Sequence, residues 1–497
     1  MHNPHINSPP FSVKCSKCNE EYPEDPFRTS CERCNSVLSL NYDYSKLNNI
    51  DFNTFKRRVP SVWKYFELLP LKEGSTVISL GEGGTHLHEC QRLQSHLKIK
   101  KLLLKDETTN PTASFLDRGS TVVISRALET GARAVCCGAT GNLGASISAY
   151  AAKAGLEAII FIPKILDPGK LYQMIAFGAK VELSKDYSTA ISISETYNKT
   201  HFIVSPTNPY FMEGQKTIGY EMIEQMGWKS PDRIIVPMGN GILISMIWKA
   251  LNEFFHLGLI NNINTKLTGI QTSAVSPIVD AFNNGGDTVY RSGKGDTIAL
   301  DIGIEVPLAG ELALNAIKSS GGTCITVNDN EILDATSLLA KSEGVFAEPS
   351  AASSIAGLKK MLDTGLIEQD EEVVCVLTGA GLKNPITSRQ LLKSRHVRTI
   401  VRKYDDRYLT THLGETKLRI LQILFKDDVY GYKIRKDLVD LFQISVKIPV
   451  IYQHLKELEN MNLVRRSRVY EVGGRPERTY YSITGKGKAA TRYLKIN

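Results

Sequence analysis

Short apolar runs alternate with longer amphipathic stretches through the middle of the chain. "RAVCCGAT" precedes "NLGASISAYAAKAG", "EAIIFIP" precedes "GKLYQMIAFGA", "RIIVPMGNG" precedes "ILISMIWKALNEFF", and "EVVCVLTGAG" closes the series. Strand, tight turn and helix, repeated, predict a parallel α/β sheet wrapped on both faces, with ligands at the carboxyl ends of the strands. This body spans residues 41–386. After a basic linker, residues 387–412, the pattern changes. "GETKLRILQILF" has helical spacing at Leu418, Leu421 and Phe425, and "VYGYKIRKDLVDLF" is a second helix. In "VKIPVIYQHLKELENMNLV", Ile451, Leu455, Leu458 and Met461 share one face, and Asn462 is a left-handed stop. "VRRSRVYEV", the turn "GGRPE" and "RTYYSIT" predict a β-hairpin with a basic loop. Three helices and a basic hairpin over residues 413–497 form a winged helix-turn-helix.

Residues 1–40 fit neither pattern. Cys15-x2-Cys18 and Cys31-x2-Cys34 form two knuckles separated by twelve residues. Four thiolates at this spacing close tetrahedrally on one structural zinc. The polar segment "SKCNEEYPEDPFRTSCERCN" has no core of its own, so the metal supplies the folding energy. Cys136 and Cys137 read as parts of a buried strand. His86, His88 and Cys90 alternate in "THLHEC", where a second metal site is conceivable on one strand face.

Composition narrows the class. At 42% hydrophobic and 23% charged, the 497 residues suit a globular protein of several domains. No apolar run reaches the ~18 to 20 residues that span a bilayer. The polar, Pro-broken start "MHNPHINSPPF" lacks the pattern of a secretory signal. The expected location is cytoplasmic, away from membranes, with reduced thiols. The net charge is +8, and residues 411–497 alone carry 17 Lys and Arg against 9 Asp and Glu. The neutral body and basic tail imply that the tail meets a polyanion.

The body resembles threonine synthase, within the tryptophan synthase β-like group of pyridoxal-phosphate proteins. The resemblance rests on "SLGEGGTHL", "LLLKDETTNPTASFLDRGS", "GATGNLGAS", "VPMGNGILISM", "GIQTSAVSPIVDAF", "FAEPSAASSIAGL" and "LTGAGLKNP", in that order. It implies a two-domain fold of open sheets and a cofactor or ligand held by Asn142, by Gly239, Asn240 and Gly241, and by Thr378. The departures cluster at that site. Leu116 stands where the family has the lysine that forms an imine with pyridoxal phosphate, and it has no nitrogen to do so. Ile242 and Leu243 follow the glycine loop, Leu143 replaces a threonine, Ala380 a histidine, and His86 a proline in the entry loop. Lys105 and Lys383 match lysines that the family uses otherwise, and rescue by either, or by an unmatched lysine, remains an alternative.

The tail resembles the PadR family of transcription regulators. Tyr430-Gly431-Tyr432 matches its second-helix start, "YQHLKELENMNL" its recognition helix and "GGRPERTYYSITGKG" its wing. The family's C-terminal dimerisation helix is missing or very short. The resemblance implies DNA contacts from Lys447, Gln453 and Lys456 around the recognition helix and from Arg475 and Arg478 in the wing. Together the readings give a threonine-synthase-like pseudoenzyme that senses a metabolite, an amino acid or a phosphorylated precursor. It binds DNA as a homodimer built on the body. Cofactors are structural zinc and, by family, pyridoxal phosphate without a covalent link. The alternatives are an active pyridoxal-phosphate lyase making threonine from O-phosphohomoserine, with a regulatory DNA-binding domain, and a non-catalytic partner of a threonine synthase.

Overall fold

The computed structural model describes residues 10–47, 50–293, 295–385, 413–470 and 478–491. The basic linker and the wing turn with Arg475 lie outside these residues. The chain divides into two compact units, Met1–Leu391 and Leu392–Asn497.

In the first unit, β1 (Phe11–Cys15), β2 (Glu21–Tyr22) and β3 (Leu38–Tyr42) form a small antiparallel sheet in the order β2-β1-β3. β3 carries this module past residue 40 because the full length of β1 pairs with it, Phe11 opposite Tyr42. The module is anchored on the body: the Lys249 ammonium donates to Leu40 O at 2.5 Å and lies over the Tyr42 ring.

Two open sheets form the body. One contains β6 (Ala134–Gly138), β7 (Glu157–Pro163), β8 (Lys180–Ser184) and β9 (Phe202–Val204), all parallel, in the order β8-β7-β6-β9. The other contains β4 (Leu87–Glu89), β5 (Lys101–Asp106), β10 (Arg233–Pro237), β11 (Lys266–Thr272), β12 (Thr323–Val327) and β13 (Glu372–Leu377). Its order is β12-β11-β10-β13-β5-β4, and only the edge strand β4 runs antiparallel to its neighbour. The continuous apolar runs read from the sequence are the inner strands. Ile234, Ile235 and Val236 of β10 are fully buried, as are Cys136 and Cys137 of β6, because helices cover both faces of a parallel sheet. The strands end towards the glycine turns, and helices Asn142–Ala154 and Ile242–His256 start there.

The second unit is the expected winged helix. Helices Glu415–Lys426, Gly431–Phe442 and Ile448–Asn460 precede β15 (Val464–Tyr470) and β16 (Arg478–Ile483), and the short β14 (Val429–Tyr430) completes an antiparallel sheet in the order β14-β16-β15. Asn462 has φ 56°, the left-handed stop that ends the third helix. Ile451, Leu455 and Leu458 are fully buried. The first helix differs from expectation. It buries Ile420, Leu421, Ile423 and Leu424, and Phe425 is 50% exposed. Leu418, Ile420, Leu421, Ile423, Leu424 and Phe425 are all apolar, so spacing alone does not fix which face turns inward.

Candidate functional site

The segment 110–120 folds into a turn bolted to the last loop of the body. Phe115 N donates to Thr378 O at 3.0 Å, and Ala380 N donates to Ala113 O at 3.0 Å. Leu116 caps helix Asp117–Glu129 from αR geometry, with no side-chain hydrogen bond. Asn142 opens its helix just past β6. Gly241 opens the helix after β10 at φ 84°, where a Cβ would lie 2.8 Å from Ala309 O, so only glycine fits. These starts converge. Leu116, Asn142, Leu143, Gly239, Asn240, Gly241, Ile242, Leu243 and Thr378 all line one cavity of about 100 Å³. Ala380 lies outside it and borders the neighbouring cavity with Lys383.

The charged residues on the cavity wall are ones that motif spacing did not single out. They are Asp301 and Glu348, both acidic. Behind them, the Lys170 ammonium bonds to Asp301 Oδ2 and lies 3.5 Å from Glu348 Oε2. Burial alone would lower the Lys170 pKa, but the two carboxylates outweigh it and hold the ammonium above its ordinary range. Asn142 Nδ2 donates to Glu348 Oε1 at 2.9 Å, to Glu348 Oε2 at 3.1 Å and to Asp301 Oδ2 at 3.2 Å. The Asp301 segment packs on the glycine loop so closely that a Cβ on Gly239 would lie 2.2 Å from Asp301 O. The Asn240 side chain is engaged, donating to Tyr187 OH at 3.1 Å and accepting from Leu308 N at 3.2 Å.

The two lysines considered for rescue lie elsewhere. Lys105 is fully buried and donates to Thr85 O, Glu221 Oε2 and Gln225 Oε1 at 2.8–3.0 Å, inside an ion-pair cluster with Arg118 and Glu107. Lys383 donates to Thr112 O at 3.2 Å. Burial, with Lys170 nearby, brings its pKa down to about 8 against the pull of Glu348, Asp117 and Asp301. Asp117 is the reverse case. Burial pushes its carboxyl up to about 6, although Ser146 and Thr112 donate to it.

The four cysteines of the N-terminal module meet. Cys15 and Cys34 sulfurs are 3.5 Å apart, those of Cys18 and Cys31 3.6 Å, and all four lie within 4.8 Å of one another. Tetrahedral zinc with Zn–S bonds of ~2.3 Å needs sulfurs roughly 3.8 Å apart, so this donor set fits zinc. The His86 and His88 rings lie 5.4 Å apart, tilted to each other, but the Cys90 thiol points at His88 O, and these three form no metal-type cluster among the described residues.

In the second unit Lys447, Gln453 and Lys456 are exposed at the start and outer face of helix Ile448–Asn460. Gln453 Nε2 is tied to Glu457 Oε1 at 3.0 Å. The Arg478 guanidinium stacks over the Tyr430 ring at 4.7 Å, which fixes the wing base to the second-helix start. Arg475 lies outside the described residues.

Residues 78–379 match the family described as "Pyridoxal-phosphate dependent enzyme", and residues 420–493 match "Transcriptional regulator PadR-like family". The chain is 42% identical over 377 residues to a threonine synthase of Methanocaldococcus jannaschii, covering 75% of this chain and 93% of the relative. It is 41% identical to one of Methanosarcina acetivorans, covering 76% and 93%. Among solved structures, maize serine racemase superposes with TM-score 0.55 at 20% identity, covering 63% of this chain and 93% of that one. A fungal L-serine ammonia-lyase from Rhizomucor miehei gives 0.52 at 22%, covering 60% and 93%; both likenesses concern the fold. With strands, turns and cavity arranged in this order, the chain belongs to the threonine-synthase-like pyridoxal-phosphate enzyme family and carries a PadR-like domain behind that body.

Proposed function

We propose that this chain is a ligand-responsive DNA-binding regulator whose body makes no imine with pyridoxal phosphate. The observation that carries the reading is the charge on the cavity wall: Asp301 and Glu348, with Leu116 at the lysine position. The residues present do not fit pyridoxal phosphate. Leu116 offers no amine, and the Lys170 amine is held protonated between two carboxylates. The Asp301 backbone packs on the glycine loop that would have to receive a phosphate, and the acidic Asp301 side chain belongs to the same cavity lining. Ile242 and Leu243 add bulk and no side-chain donors.

The tail supplies the output. Lys447, Gln453 and Lys456 are exposed on a recognition-helix scaffold, and Arg478 stands at the wing base. Two half-sites need two copies, and in this reading the body provides the two-fold axis. The test is a mobility shift of the full chain on genomic fragments at physiological salt with heparin as competitor. Selective retention of particular fragments supports the proposal, and equal loss of all DNA to heparin overturns it. An enzymatic reading has one observation in its favour, the buried Lys383 with its pKa near 8. It would require an adduct there, which borohydride trapping reads out.

A further inference from the structure

The N-terminal cysteine module packs on the segments that build the cavity wall. Its first knuckle reaches helix Gly310–Ser319: the Lys17 ammonium, between Cys15 and Cys18, donates to Glu311 Oε1 at 2.9 Å. Its second knuckle leads into Val37, which is buried in one apolar cluster with Met212, Ile242, Met246 and Ala309. Ile242 lines the cavity. Ala309 supports the glycine loop, because its N donates to Asn240 O at 2.9 Å. Further along the module, Leu40 O accepts from the Lys249 ammonium. Ile242, Met246 and Lys249 are spaced i, i+4 and i+7, so one stripe of helix Ile242–His256 faces the module, starting at the cavity.

The loop between the knuckles reaches the other sheet. Glu24 pairs with Arg126 of helix Asp117–Glu129, the helix that Leu116 caps. The Phe27 ring lies 5.6 Å from that of Phe202 on β9. β9 belongs to the four-stranded sheet, whereas Ile242 follows β10 of the six-stranded one. The module thus bridges both sheets. The cavity lining also comes from both, since Asn142 follows β6 and the glycine loop follows β10.

The cysteine cluster is what fixes the bridging residues. Between Tyr22 and Leu38 there is neither strand nor helix, so Glu24, Phe27 and Val37 depend on the knuckles for their positions. Backbone bonds close the turns: Cys31 N donates to Ser36 O at 2.9 Å, Asn35 N to Cys31 O at 2.8 Å and Ser16 N to Val37 O at 3.0 Å. A polar segment of this kind orders when its thiolates share a metal and loosens when they do not.

We propose that the cysteine module is a zinc-dependent clamp on the cavity, through which zinc loading sets the order of the glycine loop and of the first turns of helix Ile242–His256. Zinc is then an input to the body separate from any ligand in the cavity. The proposal does not rest on the regulator reading, because these contacts all lie within the first unit.

The experiment is hydrogen–deuterium exchange of the full chain, read by mass spectrometry in three states: zinc-loaded, stripped with a chelator under reducing conditions, and reloaded with zinc. Stripping should speed exchange in residues 239–250 and 308–316 by about tenfold or more, the scale of a local opening, and reloading should restore it. β13, inside the six-stranded sheet, should stay protected throughout. Val37→Ala leaves all four cysteines in place. It should keep its zinc and still speed exchange in residues 239–250, because it removes the apolar contact and not the metal site. The inference is overturned if stripping frees residues 11–42 while residues 239–250 and 308–316 keep their protection. It is also overturned if β13 opens together with them, which would make the metal a general requirement of the fold, or if the chain holds no zinc. So would it be by a zinc-loaded Val37→Ala chain that exchanges like the wild type.

Discussion

Replacing Lys170 with methionine removes the cation behind the cavity and keeps most of the side-chain volume. The Lys170 and Glu348 side chains are each 2% exposed, and Asp301 is 18% exposed. Breaking a buried ion pair by deleting one partner costs ~3–5 kcal/mol, because the other charge stays buried. Here Asn142 still donates to both carboxylates, and Asp301 retains some contact with water. The expectation is therefore the lower end, about 3 kcal/mol at pH 8. The pH dependence has a definite sign. Without the ammonium, a buried carboxylate has a folded pKa above its unfolded value of about 4. Stability of that kind is present below the unfolded pKa and is lost as pH rises through the folded one. The deficit of Lys170→Met should be smaller at pH 5 than at pH 8. Urea unfolding followed by tryptophan fluorescence reports on the body alone, since Trp63, Trp228 and Trp248 all lie there. A deficit below about 0.5 kcal/mol at pH 8, the scale of neutral surface changes, would refute the reasoning. So would a deficit that does not change with pH.

Asp117, pushed up to about 6 by burial, should make the body lose stability as pH rises from about 4 to 6. Asp117→Asn should flatten that part of the stability profile, and an unaltered profile would contradict the assigned pKa. The Cys15, Cys18, Cys31 and Cys34 cluster should retain about one zinc per chain after purification without added metal, and a metal-free chain with four freely reactive thiols there would exclude the site. Borohydride reduction with added pyridoxal phosphate, followed by peptide mapping, should give no stoichiometric adduct. An adduct on Lys383 would favour the enzymatic reading. Leu116→Lys alone should form no threonine, because Asp301, Ile242 and Leu243 remain beside the glycine loop; robust activity would show those residues to be neutral.

The strands, their glycine turns and the winged helix were legible because each depends on local period and turn chemistry. The cavity was legible as a set of motifs, and the structure brings Leu116, Asn142, the glycine loop and Thr378 into one cavity lining. The charges that decide its chemistry were not. Lys170 meets Asp301 across 131 positions, and Asn142 meets Glu348 across 206. Spacing carries no information at such separations. Lys170 did leave one signal, a Pro-Gly-Lys at the first turn of helix Pro168–Ala176. A Cβ on Gly169 would lie 2.5 Å from Lys383 O, so the glycine lets that turn press against the last loop. Asp301 sits in a single 3-10 turn without any repeating pattern. Phe425 was misplaced for a related reason, an apolar helix with too many candidate faces.

In the proposed function the body senses a ligand and the tail reads DNA. Fluorescence anisotropy of a retained genomic fragment, titrated with the full chain with and without saturating L-threonine or O-phosphohomoserine, measures both at once. The affinity should change by at least about fivefold, the lower range of allosteric coupling. Asp301→Asn should abolish the response while its ligand-free affinity for the fragment stays that of the wild type. An affinity that does not move in the wild type while calorimetry shows the site filled would contradict the claim.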